Sequence, residues 1–326
     1  MTNSKAILEA LLDKSNLLLE EESSEIRPRD EAGRSGGLVL LRQDLPTVVV
    51  PDLHGRYQYL IDLMRYRSNG QPILDWLKAE KIQIVCVGDG MHSERRGLAR
   101  WKEARKEYEG GFESCPAMAE EMSENFQTMA LVMKLKLGFP GHFHFLKGNH
   151  ENIMDEDING NHPFAKLAAE GPMTRLYVEK FFGVDFLKQF DRFEKNLPLM
   201  ARGRSFIISH SRPRARYSIN DIINYRSRPD VIEGLTWTRH SAAQEGIIPE
   251  LLEAFLGNDT DQKLWVSGHT AIQDLYQFWN EEKLLEIHNP SLRTLVLIDP
   301  HKTFDPDMDI HILPKTASSD NDPVTA

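Results

Sequence analysis

Cysteine is scarce in this sequence, and no long run of apolar residues occurs. Two cysteines, Cys86 and Cys115, are present among 326 residues, too few for a disulfide framework or for a zinc site built from thiolates. No segment approaches the roughly 20 apolar residues that a membrane-spanning helix needs. The amino terminus carries acidic residues where a secretory signal has a basic start and an apolar centre. We therefore expect a cytoplasmic location and no membrane partner.

Positive charge is also in short supply. The 39 lysine and arginine residues are outnumbered by 49 aspartate and glutamate residues, which gives a formal net charge of -10. Binding of nucleic acid over a broad surface is therefore not expected, and a nuclease function is disfavoured. A few cations brought together locally could still bind a phosphate group.

The composition divides the chain into three parts. Residues 1–45 are predicted to form an N-terminal helix, over residues 5–22, and a linker that Pro28 and several glycines break. Residues 46–300 are predicted to be the main domain, and residues 301–326 a polar tail whose last dozen residues are disordered. Within the main domain, residues 98–136 are charged and mostly helical. They could form a cap over a site or a peripheral helical hairpin.

Short apolar runs recur through the main domain, and each ends at a cluster of polar residues. Continuous apolar runs are typical of strands that are buried on both faces. Helical stretches lie between them at Tyr57–Tyr66, Ala117–Lys136 and Asp221–Tyr225. The pattern predicts an α/β fold, a layered β-sandwich flanked by helices, with one site at the strand ends. The six runs are Thr47–Val50, Ile82–Val87, Phe143–Leu146, Phe206–Ile208, Leu264–Val266 and Leu295–Ile298.

The polar clusters after five of these runs contain residues that bind metal ions. Mixed carboxylate, amide and imidazole donors suit borderline divalent ions such as Mn²⁺, Fe²⁺, Zn²⁺, Co²⁺ or Ni²⁺. Six donors are too many for one ion that keeps a position open for water, whereas two ions that share a carboxylate would use them all. The sequence thus predicts a dinuclear site at the strand ends. The six candidate ligands are Asp52, His54, Asp89, Asn149, His210 and His269.

The order of these motifs resembles the calcineurin-like metallophosphoesterase superfamily. The resemblance rests on Asp52-x-His54, Gly88-Asp89, Gly148-Asn149-His150-Glu151, His210 and Gly268-His269, and it covers roughly residues 46–300. The phosphoprotein phosphatase branch (serine/threonine phosphatases of the PPP type) and its bacterial relatives are most similar. Leu197-Pro198-Leu199 and Leu235-x-Trp237-x-Arg239 resemble further segments of that branch.

The resemblance implies a phosphatase that hydrolyses a phosphate monoester with metal-activated water. The substrate would be a phosphoprotein, a small phosphate ester or a nucleotide. The cofactors would be two divalent ions, with Mn²⁺ as the first candidate and Fe, Zn, Ni, Co or Mg as alternatives. Asp52 and His54 would hold the first ion, Asp89 would bridge both, and Asn149, His210 and His269 would complete the second. His150 would be the general acid, and Arg239 would bind the phosphate.

Three features depart from the family pattern: Pro51 before the first motif, about 60 residues between Asp89 and Asn149, and, more seriously, the segment after Asp89. The branch places an aspartate and an arginine where this chain has His92 and Ser93. In the family, the aspartate orients the histidine that acts as general acid, and the arginine binds phosphate. Glu94 could orient His150 instead, and Arg95 or Arg96 could supply the cation.

Two alternative functions stay open. Arg212, Arg214 and Arg216 follow His210, where the family usually has glycines, and could bind a second phosphate. They favour a nucleotide or dinucleoside-polyphosphate hydrolase, or a phosphodiesterase. The non-enzymatic alternative is a degenerate phosphatase that acts as a binding module.

Overall fold

The computed structural model of the protein describes residues 2–257 and 262–314, with side chains from residue 5 onward. The predicted disordered tail, residues 315–326, lies outside this part of the chain. The described helices are α1 (Thr2–Glu21), α2 (Tyr57–Arg65), α3 (Ile73–Lys78), α4 (Leu98–Glu109), α5 (Pro116–Gly138), α6 (Glu170–Phe181), α7 (Val184–Asn196), α8 (Ile219–Ile223), α9 (Pro229–Thr236), α10 (Ile247–Leu256) and α11 (Pro306–Asp309). No helix within the described ranges is long and apolar enough to cross a membrane.

The strands form two larger sheets and one short hairpin. In chain order they are β1 (Leu38–Leu40), β2 (Thr47–Val50), β3 (Arg67–Ser68), β4 (Gln71–Pro72), β5 (Gln83–Cys86), β6 (Phe143–Phe145), β7 (Met200–Arg202), β8 (Phe206–Ser209), β9 (Leu264–Ser267), β10 (Gln277–Trp279), β11 (Leu284–Glu286), β12 (Thr294–Ile298) and β13 (Ile310–Ile312). One sheet has the order β1-β7-β8-β9-β11-β10, the other β13-β12-β2-β5-β6, and β3 pairs with β4. The six predicted strands are β2, β5, β6, β8, β9 and β12.

The two sheets pack face to face, with helices on both outer faces. Side chains alternate along each strand, so Val49 of β2 points into the layer between the sheets while Val48 and Val50 point toward helices. Likewise Ile208 of β8 joins the inner layer, and Ile207 packs under α10 and its neighbours. The result is the layered α/β sandwich that the apolar runs predict.

The sheet registers bring the ends of several strands to one edge. Strands β2, β5 and β6 are parallel neighbours, with Val48 opposite Ile84 and Val85 opposite His144. Strands β8 and β9 are parallel neighbours in the other sheet. Because parallel strands end at the same edge, the segments that follow these five strands converge there.

Helices α4 and α5 cover most of residues 98–136, and they pack on the outer face of the β13-β12-β2-β5-β6 sheet. Met122 and Met129 of α5 belong to the same core as Val48 and Val50, and Trp101 of α4 is fully buried. Helix α1 packs on α5 and α7 and adds Leu12 to this core. The proposed boundaries between the three parts of the chain stay a prediction.

Candidate metal centre

The six predicted ligand residues form one cluster where the strands converge, and all of them are buried except His269, which is half-buried. Asp89 lies at its middle: the Oδ2 atom is 3.6 Å from His54 Nε2, and the Oδ1 atom is 3.5 Å from His210 Nε2. On one side, Asp52 Oδ2 is 3.9 Å from His54 Nε2. On the other side, Asn149 Oδ1 is 3.0 Å from both His210 Nε2 and His269 Nδ1. The donors therefore fall into two groups that share the Asp89 carboxylate.

The backbone is strained where it presents these side chains. Three of the candidate ligands, His54, Asp89 and His269, have positive φ angles of 45°, 50° and 60°. Non-glycine residues rarely adopt this region, and such strain is concentrated at functional sites. Glycines permit the close packing around them: a Cβ atom on Gly148 would lie 2.2 Å from Asp89 Oδ1, and one on Gly268 would lie 1.9 Å from Asp52 Oδ1.

Hydrogen bonds to backbone carbonyls orient two of the imidazoles. His54 Nδ1 donates to the carbonyl of His92 at 3.0 Å, and His210 Nδ1 donates to the carbonyl of Val87 at the same distance. A neutral imidazole whose Nδ1 carries the proton has its lone pair on Nε2, which here faces the carboxylates. Burial lowers the pKa of His54 to about 3 and the pKa of His210 well below its ordinary value. Both rings are thus in the neutral form that binds metal ions.

The carboxylates have the opposite electrostatic problem. Burial raises the pKa of Asp52 and of Asp89, and repulsion from the carboxylates of Asp52 and Glu151 raises the pKa of Asp89 further. A divalent cation between these oxygens would remove that penalty. Buried neutral imidazoles and buried carboxylates that need a positive partner are the donor set that a divalent metal centre requires. The residues present therefore fit the two ions that the sequence predicts.

Glu151 ties the two loops of the site together. Its carboxylate accepts hydrogen bonds from the backbone amides of Asp89 at 2.9 Å, Gly90 at 2.8 Å and Gly148 at 2.6 Å. The loop that carries Asp89 is thereby fixed to the loop that carries Asn149.

A comparison of the sequence with family profiles assigns this chain to a known family. A profile of the calcineurin-like phosphoesterase family matches residues 45–273, more than half of the chain. The chain belongs to this family. No curated protein sequence matches it. Among solved structures, it is similar to a protein serine/threonine phosphatase from Saccharomyces cerevisiae with similarity to human phosphatase PP5 (16% identity, TM-score 0.61, 99% of this chain and 93% of that one). It is also similar to a cold-active protein-tyrosine phosphatase of a Shewanella species (13% identity, TM-score 0.45, 81% and 77%).

In this phosphoesterase, His150 stands beside the shared carboxylate without a carboxylate of its own. Its Nε2 is 3.7 Å from Asp89 Oδ2, and its buried Nδ1 has no hydrogen-bond partner within the described ranges. Phe164 lies against the ring, with centroids 3.6 Å apart. Glu94, the substitute partner suggested by the sequence, contacts His54 and His288 instead. Burial lowers the pKa of His150 well below its ordinary value.

A cavity of about 210 Å³ opens over the cluster, and three cations line it. They are Arg95, Lys166 and Arg239, and none has a carboxylate partner among the residues that the structure describes. Phe164 and Trp237 add aromatic surface. A larger cavity of about 330 Å³ lies elsewhere, around Trp76 and His311. Each group of potential metal ligands found in the described part of the chain includes a residue that lines the smaller cavity.

None of the described residues that line the cavity lies within residues 98–136. Arg96, the other candidate cation, is bound to Glu124 at 2.7 Å and to the carbonyl of His54 at 2.9 Å. Of the two arginines proposed to replace the family's phosphate ligand, only Arg95 lines the cavity.

The three arginines after His210 do not line the cavity; each pairs with carboxylates. Arg212 is 3.2 Å from Glu282 and 3.4 Å from Glu286, and its side chain is buried. Arg214 is 2.7 Å from Glu233, and Arg216 pairs with Glu250. The expectation that they bind a second phosphate receives no support from this geometry.

Two functional candidates escaped the sequence analysis. Lys166 lies on the long loop between Asn149 and α6, with no regular pattern around it. His288 follows β11, in the sequence Leu284-Leu285-Glu286-Ile287-His288, and its ring lies 3.5 Å from Asp52 Oδ2. A polar residue after an apolar run was the available signal for His288, and Glu286 interrupts that run.

Proposed function

We propose that this chain is a phosphatase that hydrolyses a phosphate monoester at a centre of two divalent metal ions. The observation that carries the proposal is the position of Asp89. Its two oxygens face different imidazoles, His54 on one side and His210 on the other, as a carboxylate shared between two ions would. Asp52 and His54 would complete the first site, and Asn149, His210 and His269 the second. When bound, two such ions activate water and neutralise phosphoryl charge.

The protein's own cations would hold the phosphate over this centre. Arg239 offers a guanidinium fork that matches two phosphate oxygens, and Arg95 and Lys166 add two further positive charges. Three cations that lack a carboxylate partner among the described residues suit a terminal phosphate, which carries two negative charges, better than a diester, which carries one. This charge balance favours a monoesterase.

His150 would act as the general acid and protonate the leaving oxygen. Burial, followed by the neighbouring imidazoles of His54 and His92, lowers the pKa of His150 and disfavours the protonated form. We therefore expect esters with good leaving groups to be hydrolysed faster than alkyl phosphates. General acid catalysis contributes typically about 10²–10⁴-fold, which sets the scale of that difference.

A nucleotide ester is the second candidate substrate. Phe164 and Trp237 line the cavity and offer aromatic surface to a base. The choice between a phosphoprotein, a small ester and a nucleotide depends on comparing their kcat/KM values with one preparation.

The test removes metal with a chelator, restores Mn²⁺, Mg²⁺, Zn²⁺ or Ni²⁺, and follows p-nitrophenyl phosphate and bis-p-nitrophenyl phosphate. We expect metal-dependent release from the monoester that Asp89→Asn abolishes and that Asp44→Asn, at an exposed aspartate, leaves unchanged. Two bound ions without turnover of any ester would indicate a binding module. Absence of both metal binding and turnover would contradict the proposal.

A further inference from the structure

We propose that His288 is an additional ligand of the first metal ion and that Glu94 positions it. The proposal rests on the metal centre proposed above and adds a residue to it. His288 is 1% exposed, and its Nδ1 is 3.5 Å from Asp52 Oδ2. Asp52, His54 and His288 each offer a donor atom within 4.8 Å of the others. A third buried side chain thus faces the space between Asp52 and His54.

The hydrogen bond on the other side of the ring determines what His288 Nδ1 can do. His288 Nε2 is 3.2 Å from Glu94 Oε1, and an ionised carboxylate only accepts hydrogen bonds, so Nε2 carries a proton. In a neutral ring the lone pair is then on Nδ1, which points at the cluster. Nδ1 has no hydrogen-bond partner in the described part of the structure.

The alternative explanation is a purely structural ion pair, in which a doubly protonated His288 bridges Asp52 and Glu94. That arrangement would place an Nδ1 proton toward Asp52 at hydrogen-bond distance. The observed 3.5 Å separation is too long for such a bond. A gap of this length between two donors is instead what an intervening ion fills, because each metal–ligand bond is about 2.0–2.3 Å.

The pairing of Glu94 with His288 also explains the departure from the family pattern. Metal-binding histidines nearly always donate their second ring N–H to a carboxylate, carbonyl or water, and this partner fixes the ring. Glu94 occupies the segment in which His92 and Ser93 replace the family's aspartate and arginine. The segment therefore contributes to the first metal site.

The added ligand changes which ions the first site would prefer. With Asp52, His54, Asp89 and His288 the protein offers two oxygen and two nitrogen donors. Mg²⁺ prefers oxygen ligands in near-ideal octahedral geometry, whereas imidazole suits Mn, Fe, Co and Zn ions. We expect the first site to bind Co²⁺ or Mn²⁺ in preference to Mg²⁺.

The experiment measures metal content and the visible spectrum of the full-length protein loaded with Co²⁺. Wild type is compared with His288→Ala, His288→Asp and the exposed-site control His301→Ala. We expect about two ions in wild type and in the control, about one in His288→Ala at the same free Co²⁺, and recovery of the second ion in His288→Asp. The visible bands should change in His288→Asp because an oxygen replaces a nitrogen donor.

Glu94 is tested with Glu94→Ala and Glu94→Gln, since glutamine can still accept from Nε2. We expect Glu94→Ala to weaken first-site affinity by roughly 10- to 100-fold and Glu94→Gln to recover most of it. Circular dichroism and thermal unfolding of the metal-free variants exclude loss of the fold as the cause. Two ions bound to a folded His288→Ala with wild-type affinity and spectrum would overturn this inference alone. A wild type that binds no ion would overturn the proposed metal centre itself.

Discussion

At the scale of single residues, charge pairing separates the cations that can bind substrate from those that stabilise the fold. Arg212, Arg214 and Arg216 follow His210 closely in sequence, yet each pairs with a glutamate. Arg239 and Lys166 have no such partner among the described residues, and both face the cavity. Both also lower the pKa of His269, after the larger effect of burial, so their charges act at the metal cluster. An incoming phosphate would supply the missing counter-charge.

We predict that Arg239→Ala and Lys166→Ala each lower kcat/KM for a monoester. Removing one charged hydrogen-bond partner of the phosphate costs about 1.5–3 kcal/mol, or roughly 10- to 100-fold in rate. Arg239→Lys should recover part of the loss because it keeps the charge but not the fork. Steady-state kinetics give the values, and Arg214→Ala, whose partner is Glu233, is the matched control. Equal effects of Arg214→Ala and Arg239→Ala would contradict the assignment.

The residue pattern predicted which side chains converge at the strand ends better than it predicted which ones line the cavity. Asp52 and Asp89 come just after the apolar runs that form β2 and β5. Because these strands are parallel neighbours, both aspartates lie at the same edge of the sheet. Lys166 lies on a loop whose path is set by tertiary contacts, and a lysine in such a loop has no distinguishing pattern. Arg212 shows the opposite error: its position in sequence suggested a ligand contact, while the fold brings Glu286 of β11 to it.

At the scale of elements, helix α5 anchors the segment 91–97 through hydrogen bonds. Glu121 of α5 accepts hydrogen bonds from the Ser93 amide at 2.7 Å and from its hydroxyl at 2.5 Å. Asn125, one turn later, accepts from the amide of His92 at 3.0 Å. The indole of Trp101 in α4 donates to the carbonyl of Ser93 at 2.8 Å. The helical hairpin α4–α5 thus supports the loop that carries Glu94 and Arg95.

We predict that Glu121→Gln destabilises the protein and reduces phosphatase activity. Glu121 is fully buried and also binds Arg100, so the neutral amide leaves these donors poorly satisfied. The expected loss in the free energy of unfolding is about 1–3 kcal/mol. Urea unfolding measures the loss, and kcat/KM reports the shift of the segment. The control is Glu120→Gln, since Glu120 pairs with the same arginine but is exposed.

A fall in stability without any change in activity, or equal effects of both variants, would contradict this link between α5 and the site. The sequence predicted α5 itself, over Ala117–Lys136, from its helical composition. It did not predict the contact with Ser93, because hydrogen bonds between residues 28 positions apart leave no local pattern. Whether the hairpin was a cap or a peripheral element depended on that tertiary packing.

At the scale of the whole molecule, the larger core contains a charged network remote from the metal cluster. It joins the end of α1, helix α5 and strand β6. Lys136 Nζ is 2.5 Å from Glu22 and 3.4 Å from the Nδ1 of His144, which must then accept. His144 is 2% exposed. Burial, followed by the charge of Lys136, lowers the pKa of His144 well below its ordinary value.

This network predicts how stability depends on pH in the metal-free protein. Between the lowered pKa of folded His144 and the unfolded value of about 6.5, the unfolded chain binds more protons, so acid favours unfolding. The stability contributed by neutral His144 is fully present above pH 6.5 and is lost as the pH falls below it, at up to about 1.4 kcal/mol per pH unit. Arg27 and His142, which also face the ring, oppose its protonation further.

The measurement is urea unfolding in chelator between pH 7.5 and 5.5 for wild type and His144→Asn. Asparagine keeps a polar group near Lys136 but does not titrate. The slope of the free energy of unfolding against pH should therefore be smaller in His144→Asn than in wild type, by the equivalent of about one bound proton. Chelator is required because metal binding releases protons from the ligand histidines and would add its own slope. His301→Ala, at an exposed position, should retain the wild-type slope. If His144→Asn also retains that slope, His144 is already protonated in the folded protein. Its Nδ1 then cannot accept a hydrogen bond from Lys136, and the neutral form inferred from burial is wrong.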